Sequence, residues 1–149
     1  TYTNAHTLVK IVCPVHGEFL QNPWNHINGD GCPSCKNSIG EDKIGAYLSK
    51  HNIYSIKQKR IQNDNLFCDN KYFLVDFFIP NHNCVIEFHG IQHYKTIEYL
   101  GGQERFEKQK ERDLALRQYC KEHKIKLIEI PYWDYDNIET ILKKELKIK

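Results

Sequence analysis

Residues 73–89 read FLVDFFIPNHNCVIEFH. Two β-rich runs, Phe73–Ile79 and Cys84–His89, flank the turn-like tetrad Pro80-Asn81-His82-Asn83, which predicts a β-hairpin. Pairing Ile79 with Cys84 fixes the register and brings Asp76 opposite Glu87. Directly opposed side chains on one sheet face lie about 5 Å apart at Cβ, and two facing carboxylates repel. Either one of them points to solvent from an edge strand, or the two hold a divalent cation. Such a cation takes hard oxygen ligands from one or two carboxylates plus water. A slip of one residue would separate the two side chains onto opposite faces.

Beyond the hairpin, Gly90 breaks the second strand, and Gln92 and His93 project from the turn beside the expected metal. A histidine there suits general acid–base work, because an unperturbed imidazole titrates near neutrality. Upstream, Ser38-Ile39-Gly40-Glu41 reads as a capping box opening a helix. Ile44, Tyr47 and Leu48 continue it at helical spacing to about His51. A short strand over Ile53–Gln58 follows, then a turn at Asp64-Asn65. Downstream, Gly101-Gly102 precedes a long polar helix from about Gln103 to His123. Lys124–Ile130 reads as an apolar strand stopped by Pro131. Asp136 is expected to cap a last helix carrying Ile138, Ile141, Leu142 and Leu146 on one face. The predicted order is α-β-β-β-α-β-α, an α/β fold.

Two further carboxylates stand out. On the long helix Phe106, Leu116 and Cys120 share one face, and Asp113 sits at its centre. A lone carboxylate aimed inward is costly unless paired or bound. Either Arg117, one turn on, pairs with it, or it reaches the sheet end where His93 sits. Glu41 likewise either bonds the N–H groups of its own helix start or points into a site beside Asp76.

The first 36 residues read differently. Cys13-Pro14-Val15-His16 and Cys32-Pro33-Ser34-Cys35 are two close ligand pairs within 23 residues. Two-residue spacing lets a tight turn aim both side chains at one ion, and four such ligands suit tetrahedral zinc. Cys13, His16, Cys32 and Cys35 are the expected ligands, with His26 a weaker substitute. A closed four-ligand site has a structural role, and a module this small depends on its metal to fold. Trp24 either packs in that module or meets DNA. Cys68, Cys84 and Cys120 have no partner at ligand spacing and read as buried thiols.

Composition narrows the class. The chain has 149 residues, 40% hydrophobic and 12% aromatic, enough for a packed domain plus a small module. No apolar run approaches the roughly 20 residues needed to cross a bilayer. Thr1–Ile11 lacks a basic start followed by an apolar block, so no signal peptide is expected. A first residue other than Met leaves room for a longer parent chain. The six cysteines are therefore read as ligands and thiols rather than disulfides. A net charge of +2 neither demands nor excludes nucleic acid. Lys57, Lys59 and Arg60 form one basic cluster, and Lys143, Lys144, Lys147 and Lys149 another; each is either a solvated surface or a phosphate contact.

Taken together, Asp76 in LVDFFIP, then IEFHGIQHY, then Asp113 in ERDLALRQYC and KIKLIEIPY resemble the very-short-patch-repair-like branch of the PD-(D/E)XK nucleases. They are most similar to its phage and intron-associated EDxHD homing endonucleases. CPVHGEF through GDGCPSC resembles the zinc ribbon that precedes such nucleases in phage proteins. The resemblance implies a zinc-ribbon DNA-binding module over 1–36 and a nuclease domain over 37–149. The latter would have a restriction-endonuclease-like mixed sheet flanked by helices. It also implies double-stranded DNA as partner, structural Zn2+, catalytic Mg2+ or Mn2+, and an intracellular setting in bacterial or phage-infected cells. A homodimer or tandem action would serve double-strand cleavage. Carried over by motif, Glu41, Asp76, His93 and Asp113 match the family's E…D…H…D set, with Glu87 as a direct or supporting ligand. One departure is that His89 stands where the wider pattern has Lys, so no chemistry is assigned to it.

Three functions follow as expectations. The first is a metal-dependent DNA endonuclease, in which Asp76 binds Mg2+, His93 deprotonates the attacking water and Asp113 and Glu41 orient them. The second is a DNA-binding module with the same fold and no catalysis. The third is an enzyme that nicks mismatches or junctions. Gln92, His89, Trp24, Lys57, Lys59 and Arg60 are the residues expected to touch DNA or support the centre.

Overall fold

The computed structural model describes residues 7–14, 17–28, 30–32, 39–63, 72–96 and 101–149. The chain divides into two compact units, Thr1–Ile39 and Gly40–Lys149. No described helix is long and apolar enough to cross a membrane.

In the first unit, β1 (Val9–Cys13) and β2 (Gly17–Gln21) form an antiparallel hairpin whose register runs from Val9↔Gln21 to Cys13↔Gly17. Gly17 has φ +76°, a conformation that side-chain-bearing residues rarely adopt. The short helix α1 (Pro23–Ile27) starts where the Asn22 side chain accepts a hydrogen bond from Asn25 N at 2.8 Å, with Pro at the first helical turn. Cys13, at the end of β1, and Cys32 are both buried. His16 and Cys35, the other two expected ligands, lie outside the described residues, as do Ser38 of the capping box, Cys68 and the Asp64-Asn65 turn.

The second unit comprises α2 (Ile39–Lys50), β3 (Ile56–Gln62), β4 (Tyr72–Ile79), β5 (Cys84–His89), α3 (Gly102–Glu122), β6 (Lys126–Pro131) and α4 (Ile138–Glu145). It is a mixed α/β arrangement around a four-stranded sheet of order β3-β4-β5-β6. The first two pairings are antiparallel and β5–β6 is parallel. A parallel pair needs a crossover connection, and α3 supplies it. The hairpin takes the register expected from the tetrad, with Ile79↔Cys84, Phe78↔Val85 and Phe77↔Ile86. Asn83 closes its turn at φ +45° and receives no penalty beyond what asparagine tolerates there.

Each face of the sheet has its own apolar layer. Ile44 and Leu48 of α2 and Ile138 and Leu142 of α4 pack with Phe77, Ile79, Ile86, Ile128 and Ile130. Leu116 and Cys120 of α3 pack on the other side with Ile61, Phe73, Val75 and Val85. Strand β4 therefore changes face. Phe73 and Val75 belong to the α3 layer, whereas Phe77 and Ile79 belong to the α2/α4 layer. Strict two-residue alternation would put all four on one side. The reversal occurs at Asp76.

Two expected elements are corrected. The strand expected over Ile53–Gln58 runs over Ile56–Gln62, and Ile53 packs against the core from the connection before it. Its inward residue Ile61 lies beyond the expected end, and the basic cluster is part of the strand. Asp136 does not cap the last helix. The N-cap position is Asn137, with no side-chain cap bond, because the chain enters from a 3-10 turn, Tyr132–Asn137, rather than from extended backbone.

Candidate metal and acid–base site

Asp76 sits where two β-ladders are interrupted. Pairing between β4 and β5 stops at Phe77↔Ile86, and the Asp76 carboxylate instead accepts the backbone N–H of Phe88 at 2.7 Å. On the other side, Lys57↔Phe77 and Lys59↔Val75 pair, but Gln58 between them does not. Gln58 has φ +51°, and its amide donates to Glu41 Oε2 at 3.2 Å and reaches Asp76 Oδ1 at 3.5 Å. Glu41 arrives from the first turn of α2. A Cβ at the preceding Gly40 would overlap the Phe88 ring, so the glycine lets the helix start close down on the sheet. Glu41 thus lies beside Asp76, as one of its two readings has it; the capping-box reading involves Ser38, outside the described residues.

The carboxylates of this group are hard to ionise. Burial raises the Glu41 pKa, and the Asp76 charge raises it further. Burial also raises Asp76, against the Phe88 N–H and the Arg112 guanidinium, which favour its charge. Glu87 is pushed up to about 8, first by burial and then by Asp76, with Arg112 opposing. The two carboxyl groups are close enough that the Asp76 charge disfavours ionisation of Glu87. A like-charged buried group of this kind is the donor set a hard divalent ion neutralises, so the residues fit Mg2+ or Mn2+.

A second cluster adjoins it. The 3-10 turn Ile91–His93 follows Gly90, and it sets His93 Nδ1 2.8 Å from Asp113 Oδ2 on α3. Asp113 is buried, and its other oxygen accepts from Gln109 Nε2 at 2.9 Å and Arg112 Nη1 at 3.4 Å. Burial would raise its pKa, but the hydrogen bond and charge of His93 outweigh this and hold it below the usual carboxylate value. The expected alternative partner, Arg117, does not take Asp113. Its Nε donates to both oxygens of Glu129, at 3.0 and 2.9 Å. Arg112 ties the two clusters together, with Nη2 donating to Glu87 Oε1 at 3.0 Å and to Leu74 O at 2.7 Å.

His89 is no bystander. Its ring is buried and stacks on His93 at 4.1 Å between centroids, with 6° between planes. Its Nδ1 lies 3.3 Å from the Tyr94 hydroxyl, while Nε2 has no hydrogen-bond partner and stands 3.6 Å from Glu129 Oε1. Burial, then the neighbouring His93, lower its pKa to about 4. His89, His93 and Asp113 offer ligand atoms within 4.8 Å of one another. The near-parallel rings keep their in-plane lone pairs in separate planes, and His89 is read as the shelf on which His93 rests.

Contacts thus run from Glu41 through Gln58 to Asp76, and from Glu87 through Arg112 to Asp113 and His93, with the Asp76 charge acting on Glu87 between the two sets. Gln92 is exposed on the turn before His93. Lys57, Lys59 and Arg60 lie on the edge strand β3, with Lys59 over the Phe78 ring at 4.4 Å and Arg60 over Tyr72 at 4.7 Å. Trp24 is exposed on α1 of the first unit. Sequence reasoning missed Arg112, Gln58 and Gln109. Arg112 is adjacent to Asp113, and neighbours along a helix do not face each other, so spacing argued against it. Gln109, four residues before Asp113, carries the ordinary same-face signal. Nothing in the sequence marks the left-handed backbone of Gln58.

A family described as a protein of unknown function (DUF723) matches residues 1–36, the residues that the Cys/His spacing sets apart. The chain is 36% identical over 74 residues to "Uncharacterized protein 307L" of Invertebrate iridescent virus 6, covering 49% of this chain and 37% of that protein. It is 39% identical over 74 residues to "Uncharacterized protein 094L" of Frog virus 3 (isolate Goorha), covering 48% of this chain and 47% of that protein. The chain thus spans less than half the length of these relatives. No solved structure matches.

Proposed function

We propose that the chain is a metal-dependent DNA endonuclease of the very-short-patch-repair-like type, with a restriction-endonuclease-like domain and an N-terminal zinc ribbon. The observation that carries this reading is the meeting of the Asp76–Glu87 carboxyl pair with the His93–Asp113 dyad across Arg112. Asp76 and Glu87 would hold Mg2+ or Mn2+, with Glu41 beside them, and the ion would polarise the scissile phosphate and ease departure of the leaving oxygen. Asp113 accepts the Nδ1 proton of His93 and so leaves Nε2 as the nitrogen that takes a proton from the attacking water. His89 stacks behind the ring and limits its rotation. Lys57, Lys59 and Arg60 offer a basic edge for the phosphates of double-stranded DNA. The buried Cys13 and Cys32 thiols supply half of the zinc ribbon's ligand set. Cleavage of duplex DNA that needs a divalent ion and disappears in Asp76→Asn tests the proposal.

A further inference from the structure

We propose that Arg112 is a resident cation that takes the place of a second metal ion, so that the site works with one divalent ion per chain. The inference rests on the reading of Asp76 and Glu87 as metal-holding residues. Two-metal hydrolytic sites set their ions about 3.5–4 Å apart and bridge them with shared carboxylates. Beyond Asp76, Glu87 and Asp113 are two carboxylates among the described residues that could serve a second ion on the His93 side, while Glu129 there is held by Arg117. Arg112 engages the first two, through Nη2 to Glu87 Oε1 at 3.0 Å and Nη1 to Asp113 Oδ1 at 3.4 Å.

The guanidinium is fixed there. Nη2 also donates to the carbonyl of Leu74 at 2.7 Å, on the strand that carries Asp76, and the side chain is only 18% exposed. An arginine does not lose its charge in a protein. It therefore stays a permanent positive neighbour to the carboxyl pair, repels a second dication, and occupies the oxygens such an ion would need. Lysine would keep the charge but not the fork that spans two carboxylates. Arg112 is a positioning residue, acting through Glu87 and Asp113.

The test is a count of bound Mn2+ by electron paramagnetic resonance on the full zinc-loaded chain without DNA. The wild type is expected to hold one Mn2+, lost in Asp76→Asn. Arg112→Met frees Glu87 and Asp113 and is expected to hold two, while Arg112→Lys returns the count to one. Circular dichroism confirms that each variant is folded. If Arg112→Met does not fold, Arg112→Gln, which keeps donors for Leu74 O and Glu87 without the charge, is expected to hold two. Two ions in the wild type, or one in the folded uncharged variants, overturn the inference while leaving the Asp76 centre in place. No Mn2+ in the wild type removes that centre and this inference with it.

Discussion

The carboxylate of Asp76 accepts the backbone N–H of Phe88 at 2.7 Å, in the place where a strand carbonyl would otherwise continue the β4–β5 ladder. One side chain thus does two jobs. It satisfies a main-chain donor and it presents charge at the point where the sheet opens. The two can be separated. Asp76→Asn keeps an amide oxygen for Phe88 and is expected to fold with little loss. Asp76→Ala orphans that N–H and should cost about 1–3 kcal/mol, read as a lower urea midpoint. Equal stability of the two variants would show that the bond to Phe88 contributes nothing.

Divalent ions should stabilise the fold, and more so as pH rises. Glu41, Asp76 and Glu87 all have raised pKa values, Glu87 to about 8. Protons therefore compete with the metal below that pH, and binding releases them. The rise in Tm with 5–10 mM Mg2+, of the order used to saturate weak Mg2+ sites, is expected to be larger at pH 8.5 than at pH 6.5. It should vanish in Asp76→Asn. A shift independent of pH, or one that survives in Asp76→Asn, places the ion elsewhere.

His89 makes the fold acid-sensitive. Its folded pKa of about 4 lies below the ordinary imidazole value of 6.5. The unfolded chain therefore takes up a proton between those values while the folded chain does not. Stability is complete above pH 6.5 and is lost as pH falls toward 4, by up to about 3 kcal/mol. Glu87 acts in the opposite sense, because its raised pKa adds stability as pH falls from 8 toward its unfolded value. The clean readout is the difference between the wild type and His89→Phe, in which Glu87 is common to both. That difference should shrink from pH 7 to pH 4.5; a constant difference contradicts the assignment.

Zinc is expected at one ion per chain, and Cys32→Ser should lose it and unfold the first unit, as metal binding and folding are coupled in such modules. Elemental analysis of protein purified without chelator checks the stoichiometry. Protein that is folded throughout and free of zinc contradicts the ribbon.

Much of this was legible in the sequence because it rested on local rules. The tetrad Pro80–Asn83 fixed the hairpin register through Ile79↔Cys84, and apolar spacing placed α2, α3 and β6. The inward Asp113 was visible as a carboxylate on an apolar helix face. What escaped depended on long-range geometry. The face change of β4 was hidden because Phe73, Val75, Phe77 and Ile79 alternate as if on one side. Gln58 looks like any strand residue until its backbone turns left-handed. Arg112 was hidden because its partners Glu87 and Leu74 are remote in sequence. His89 carries no assigned chemistry at the position where the wider pattern has Lys, and only the stacked ring of His93 shows why its loss would be felt.

The decisive measurement is cleavage of duplex DNA with Mg2+ or Mn2+, comparing the wild type with Asp76→Asn and His93→Ala. Metal-dependent cleavage is expected of the wild type, none of Asp76→Asn, and a rate about 10²–10⁴-fold lower of His93→Ala. DNA affinity in Ca2+ should be nearly unchanged in His93→Ala, since phosphate contacts dominate binding. Cleavage by Asp76→Asn at the wild-type rate would contradict the proposed function, as would a wild type that binds DNA and never cuts.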